Sequence, residues 1–238
     1  ENKFKLRVVL EEFKVKRQSP NMSHEFTSES ERTNLPPGSE ILFSFLNKEI
    51  EMLIDRTGEV SEITGFEKIN EELLETIKEK IKELPKEQQE QALSGFEKNL
   101  ENNDMKERLS YTWNIYPDKP IALKEKYQIK YTTKGIIPLE IENNFELGEI
   151  KSDQYKLYIN SNIKTISDKP AIDNASAQIY YDLQGTQMGY YYLDSKTRMI
   201  TESQTEQKLE GEMKIKGAGY AVIPIVNETK IRVQIEKL

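Results

Sequence analysis

The chain contains no cysteine and a single histidine, His24. Without cysteine these residues hold no disulfide, thiolate nucleophile or Cys-ligated zinc. The absence leaves the compartment open. The histidine lies in a polar stretch and reads as a surface side chain. No G-x-S-x-G phrase accompanies it, so a Ser-His-Asp triad finds no nucleophile motif. No phosphate-cradling G-x-G-x-x-G or G-x-x-x-x-G-K-[ST] pattern occurs, and no Asp-rich calcium loop. No run of about 18 apolar residues exists, so nothing here reads as a bilayer-spanning helix. A basic stripe is also missing. The 34 Lys and Arg interleave with 41 Asp and Glu for a formal net charge of -7. Phosphate neutralisation needs clustered cations, so nucleic-acid binding is disfavoured. Electrostatic attraction to an anionic membrane is disfavoured for the same reason.

Against these absences stand spaced apolar and aromatic residues. Hydrophobic residues make up 36% of the chain and charged residues 32%. That balance fits a thin core with charged outer faces, as in an antiparallel sheet wetted on one side. Phe4, Leu6, Val8 and Leu10 alternate with Lys3, Lys5 and Arg7. After Glu11-Glu12 the apolar set moves to Phe13 and Val15, a one-residue slip that a β-bulge would absorb. Residues 17–38 are polar and read as a loop with a short strand near Phe26. Ile41, Phe43 and Phe45 continue the alternation and predict a strand. Residues 49–63 predict a hairpin turning at Asp55-Arg56-Thr57-Gly58.

Thr64-Gly65-Phe66-Glu67 has the form of a capping box, with Thr64 as N-cap and Glu67 reaching back to its amide. Phe66, Ile69, Leu73, Ile77 and Ile81 then form one apolar stripe of an amphipathic helix. Pro85 opens a second helix carrying Ala92, Leu93, Phe96 and Leu100. A short third turn includes Met105 and Leu109, so a helical insert spans 66–109. From Tyr111 onward the chain reads as strands. Tyr127, Ile129 and Tyr131 alternate, as do Leu157, Ile159 and Ile163, and later Ile231, Val233 and Ile235. Short polar turns separate these runs, which indicates antiparallel pairing. The phrase from Ile50 to Glu62 is echoed from Tyr190 to Glu202 as strand, Asp, short turn, strand. Gly185, Gly189, Gly217 and Gly219 read as strand bends or bulges.

Candidate chemistry is sparse. Carboxylate pairs such as Glu11-Glu12, Glu71-Glu72 and Glu140 with Glu142 arise by chance among so many acids. Glycosidase work would need two of them converging in a cleft with one desolvated. No catalytic, metal or cofactor residues are assigned. The aromatic run is the most informative feature. Tyr180, Tyr181, Tyr190, Tyr191 and Tyr192, with Trp113, form the candidate ligand or partner surface, because such rings give large amphipathic area at low entropic cost. The alternative for each is packing on a sheet face.

Three phrases carry a resemblance: "LIDRTGEVSEITGFEKINEELLETI" at 53–77, "YPDKPIALKEKY" at 116–127 and "GYYYLDSKTRMITES" at 189–203. Together they resemble an uncharacterised family of Bacteroidota lipoproteins with a domain of unknown function. The sequence departs from that pattern at Lys124-Glu125-Lys126-Tyr127 and at Thr197-Arg198. The resemblance implies a cell-envelope protein, anchored to the outer membrane by an N-terminal lipid outside this sequence and facing the periplasm or the cell surface. It implies no catalytic residues. Architecturally, a curved antiparallel sheet embracing helices is also similar to the LolA-like half-barrel of lipoprotein carriers. Glu1-Asn2-Lys3-Phe4 opens in mid-pattern, so further strands are expected upstream.

The expectation is therefore a single mainly β domain over 1–238. It would be a curved antiparallel sheet or half-barrel with two to three helices on or in its concave face. The expected role is a non-catalytic envelope lipoprotein acting as an accessory or interaction subunit of an outer-membrane or cell-surface assembly. The alternative is a carrier of a lipid or other hydrophobic ligand. A glycan hydrolase comes last. A carrier needs an apolar cavity of a few hundred Å³, and an interaction subunit needs an exposed aromatic or apolar patch.

Overall fold

A computed structural model describes residues 3–20, 22–31, 39–55, 57–86, 88–90, 93, 110–111, 113–133, 137–166, 170–173, 177–217 and 219–237. Most of them lie in strands, and the described strand pairings are antiparallel, as the alternations predict. The chain packs into two compact units. One holds residues 1–11, 31–114 and 234–238, and the other holds 12–30 and 115–233.

In the first unit, strand β1 (Phe4–Ser19) contributes its opening residues, which pair with β3 (Glu49–Ile54) from Phe4↔Ile54 to Val9↔Glu49. β3 turns back into β4 (Val60–Thr64) as the predicted hairpin. Asp55 Oδ1 closes that turn by accepting from Thr57 N at 2.8 Å, Thr57 Oγ1 at 2.7 Å and Glu59 N at 3.0 Å. Helix α1 (Ser39–Phe45) and helix α2 (Phe66–Ile81) pack on each other. Phe66, Ile69, Leu73 and Ile77 are buried, with Phe66 edge-on to Phe45 at 5.6 Å between centroids. Lys48, just after α1, forms a 3.0 Å ion pair with Glu72 in the middle of α2.

Three readings change here. Ile41, Phe43 and Phe45 lie on a helix, not a strand. In a run this short, Ser39, Leu42, Phe43 and Leu46 satisfy a helical period as well as the alternation satisfies a strand. The N-cap of α2 is Gly65, at φ 95°, and not Thr64, which ends β4. Glu67 Oε2 does reach back, but it accepts from the Gly65 amide at 3.2 Å. A side chain at 65 would be strained by the positive φ and would stand 2.7 Å from the Glu49 carbonyl oxygen. Trp113 follows helical residues 110 and 111 and is buried, so the chain is not yet strand-like there. Residues 86 and 88–90 are helical after Pro85. Ala92, Phe96, Leu100, Met105 and Leu109 lie outside the described residues.

The second unit begins with the rest of β1. Residues 17–19 and 22–27 of the stretch read as a loop are strands, the second where a short strand was expected near Phe26. Lys14 to Ser19 pair with β2 (Met22–Thr27), and Phe13 packs edge-on to Phe26 at 6.1 Å. His24 thus sits on a strand opposite Arg17. The slip after Glu11-Glu12 falls between the residues that pair with β3 and those that pair with β2. The remaining strands are β5 (Lys126–Thr132), β6 (Leu139–Ile150), β7 (Gln154–Thr165), β8 (Ile172–Asp173), β9 (Ala177–Asp194), β10 (Ile200–Gly217) and β11 (Tyr220–Lys237), the last as far as Val233. Their order is β11-β10-β9-β7-β6-β5, an open path ending on β5, with β8 beside the start of β9. Phe145, Leu147, Leu157, Ile159, Ile163, Leu183, Tyr191, Leu193 and Leu209 build the core. Ser161 Oγ donates to Asn143 Oδ1 at 2.7 Å within it, so these buried polar groups are paired.

The echo of the β3–β4 phrase is real in structure. Asp194 Oδ1 accepts from Thr197 N at 2.6 Å, Thr197 Oγ1 at 2.8 Å and Lys196 N at 3.1 Å. Hydrogen bonds from Thr197 hold the Asp194 carboxyl below its ordinary range, and those from Thr57 do the same for Asp55. A carboxyl lowered in the fold adds stability above its unfolded value of about 3.9 and loses it as pH falls through the folded value. Melting temperature is therefore expected to drop as pH is lowered from about 4. The double variant Asp55→Asn/Asp194→Asn should start lower and show a smaller drop. Parallel melting profiles over that range would refute the assignment.

Candidate functional site

Strict alternation along β7 and β9 sorts their side chains onto two faces. On β9, Leu183, Tyr191 and Leu193 point into the core, while Thr186, Met188, Tyr190 and Tyr192 take the other face. β7 lies beside it in the register Lys156↔Tyr192, Tyr158↔Tyr190 and Asn160↔Met188. Leu157 and Ile159 are buried, so Lys156 and Tyr158 share the outer face with the tyrosines.

There the rings gather round one ammonium group. Lys156 Nζ lies 4.6 Å from the Tyr190 centroid, 5.1 Å from Tyr158 and 5.3 Å from Tyr192. Tyr190 and Tyr192 meet edge to face at 5.1 Å. Burial pulls the Lys156 ammonium down, but the Tyr192 and Tyr158 hydroxyls outweigh it, and its affinity for the proton stands above the ordinary lysine range. The Tyr190 hydroxyl donates to Gln204 Oε1 at 3.0 Å, and the Tyr158 hydroxyl to Glu149 Oε1 at 3.4 Å. The Tyr158 ring lies over Gly148, where a Cβ would stand 2.1 Å from Cε2, so glycine is what lets the ring lie flat on β6. Tyr158 is 39% exposed and the neighbouring Met188 is 55% exposed. The arrangement is a pre-ordered aromatic platform with a cation at its centre and carboxylate and amide groups at its rim.

The predicted aromatic residues divide accordingly. Tyr190 and Tyr192 form the platform. Tyr180 is on the same face of β9 but far along the strand, under Lys216 Nζ at 4.5 Å. Tyr181 faces the core side and is half-buried. Tyr191 and Trp113 are 5% and 1% exposed, so they belong to cores and not to a surface. In Tyr191 the hydroxyl is pushed far above its ordinary range by burial, so it stays protonated. Tyr158 and Lys156 escape a sequence reading. Their face is legible from the alternation with Leu157 and Ile159, but the β7–β9 register that brings them to Tyr190 is not.

The rest of this face is polar. Depressions of about 360 Å³ and 450 Å³ open on it, the first lined by Lys14, Lys16, Glu206, Lys208 and Lys230, the second by Glu140, Glu142, Lys164 and Glu210. Their charges are paired, as in Lys230–Glu206 at 2.6 Å and Lys164–Glu140 at 2.9 Å. Both are open surface depressions and not the enclosed apolar cavity that a lipid carrier requires. Two half-buried tyrosines play structural parts: Tyr116 donates to the Arg198 carbonyl at 3.1 Å and Tyr127 to the Ile115 carbonyl. Among the described residues no group of His, Cys, Asp and Glu is placed to hold a metal ion.

Residues 1–200 match the model of a family described as a family of unknown function, DUF6263. No curated protein and no solved structure matches the chain.

Proposed function

We propose that this chain, which belongs to the family of unknown function DUF6263, is a non-catalytic interaction protein that docks a protein partner on the Tyr158–Tyr190–Tyr192 platform. The observation that carries the reading is the platform itself. The exposed Tyr158 and the half-buried, mutually braced Tyr190 and Tyr192 lie beside an exposed methionine on a face that is otherwise polar and ion-paired. Partner surfaces enrich tyrosine and methionine in this way, and pre-ordered rings lose little entropy on binding. The envelope role follows the likeness of residues 53–77, 116–127 and 189–203 to Bacteroidota lipoproteins. In that role the protein is an accessory subunit at the outer membrane or cell surface.

Affinity purification of the full chain from its source cells tests the proposal. A retained protein partner is expected, and Tyr158→Ser/Tyr190→Ser should weaken its capture on the order of tenfold or more, the size of a hot-spot truncation. The variant's melting temperature should stay near that of the parent, because these rings are partly exposed. Recovery of the protein alone, or equal capture by the variant, would overturn the proposal.

A further inference from the structure

The strands β9, β10 and β11 outrun their neighbours. β7 pairs with β9 only from Gln184 to Asp194, and β8 reaches only Gln178 and Ile179. The β10–β11 ribbon ends in a tight turn, with the Gly217 amide donating to the Gly219 carbonyl at 2.9 Å. From Gly217 to Asn227 the chain carries no charged residue. Tyr220 is 65% exposed and Val222 42% exposed, and Ala221 and Pro224 are exposed as well. Ile223 and Ile225, on the opposite face of the strand, are half-buried. Both faces of this strand end are thus apolar. Uninterrupted apolar strands normally lie between two covered faces, and exposed contiguous apolar surface marks a binding site.

A protein partner covers one face of a ribbon. A medium that surrounds the tip suits an end that is apolar on both faces. The charges behind the tip fit the same occupant. Lys214 is held by Asp182 at 2.8 Å, and Lys216 stacks on Tyr180 at 4.5 Å. Lysines and tyrosines at that depth match the headgroup layer, where amphipathic side chains keep their polar ends wet. We infer that the tip of the β10–β11 hairpin, centred on Tyr220 and Val222, inserts into the interface of a lipid bilayer. The contact is small and the net charge is negative, so apolar area drives it and not attraction to anionic lipid. It rests on the envelope reading, because an insertion this small becomes effective only when the chain is already held near the membrane.

The test imposes that tether, so its outcome does not depend on how the natural chain is anchored. The full chain, bearing an N-terminal histidine tag, is captured on phosphatidylcholine vesicles doped with a nickel-chelating lipid. Val222→Trp reports insertion, with the parent's Trp113 as background. Its emission is expected to shift to the blue and to be quenched by brominated acyl chains, with little change between low and high salt. On the tethered protein, adding Tyr220→Asp to Val222→Trp should remove most of that quenching, because a charge at the tip opposes insertion. Unquenched tryptophan at position 222 on tethered protein would overturn the inference. So would a blue shift that follows protein concentration without lipid, which would make a second copy the occupant.

Discussion

Replacing Gly185 and Gly189 together by alanine is expected to remove about 2–6 kcal/mol of stability, taking about 1–3 for each overpacked site and adding them as separate positions. Both lie on β9, facing β10. A Cβ built at Gly185 would stand 1.8 Å from the Lys208 carbonyl oxygen, and one at Gly189 would stand 2.1 Å from that of Gln204. These obstacles are backbone atoms of a paired strand, so a rotamer change cannot relieve them. The strand itself must move. The pairing there is otherwise continuous, from Thr205↔Gly189 to Leu209↔Gly185, which rules out the bulges expected at these glycines. Their role is to admit the partner backbone closely. Native stabilities are only about 5–15 kcal/mol, so the double variant should show a large fall in urea midpoint or fail to fold. Gly219→Ala is the control. Nothing lies within 4 Å of a Cβ there, and its midpoint should barely change. A double variant that unfolds alongside that control would refute the close-approach account.

How far the sequence could be read depended on the length of each pattern. The α2 stripe runs for several turns, so Phe66, Ile69, Leu73 and Ile77 could be assigned to one face and are buried. The β3–β4 hairpin was legible because its Asp-led turn chemistry is local. α1 was not, since seven residues satisfy both periods. β2 was legible only as a short strand near Phe26, because its face is mostly polar and only Phe26 is buried on it. The platform was half legible. Composition located Tyr190 and Tyr192 but grouped the buried Tyr191 with them, although strand alternation puts it on the opposite face. Adding Lys156 and Tyr158 required the pairing of β7 with β9, a long-range register with no local signature. For Trp113 the alternative given for each ring, packing, is the one that holds: the side chain is buried.

That placement can be tested directly. Trp113→Ala is expected to cost about 3–5 kcal/mol, as for deleting a large buried aromatic side chain that its surroundings cannot replace. The side chain is among the largest of the fully buried set and lies in the same unit as Phe66 and Leu73. Trp113→Phe should recover much of the loss, because it keeps an aromatic body in the space and leaves a smaller cavity. Unfolding followed by circular dichroism in urea measures both, since the chain has no other tryptophan to report by fluorescence. The contrast with Tyr158→Ser/Tyr190→Ser then separates two roles that composition alone merges. Loss of a surface contact ring should weaken partner capture with little change in midpoint, whereas loss of Trp113 should lower the midpoint first and affect capture only through the unfolded fraction. A Trp113→Ala protein within about 0.5 kcal/mol of the parent, the range of an ordinary surface substitution, would return this residue to the surface.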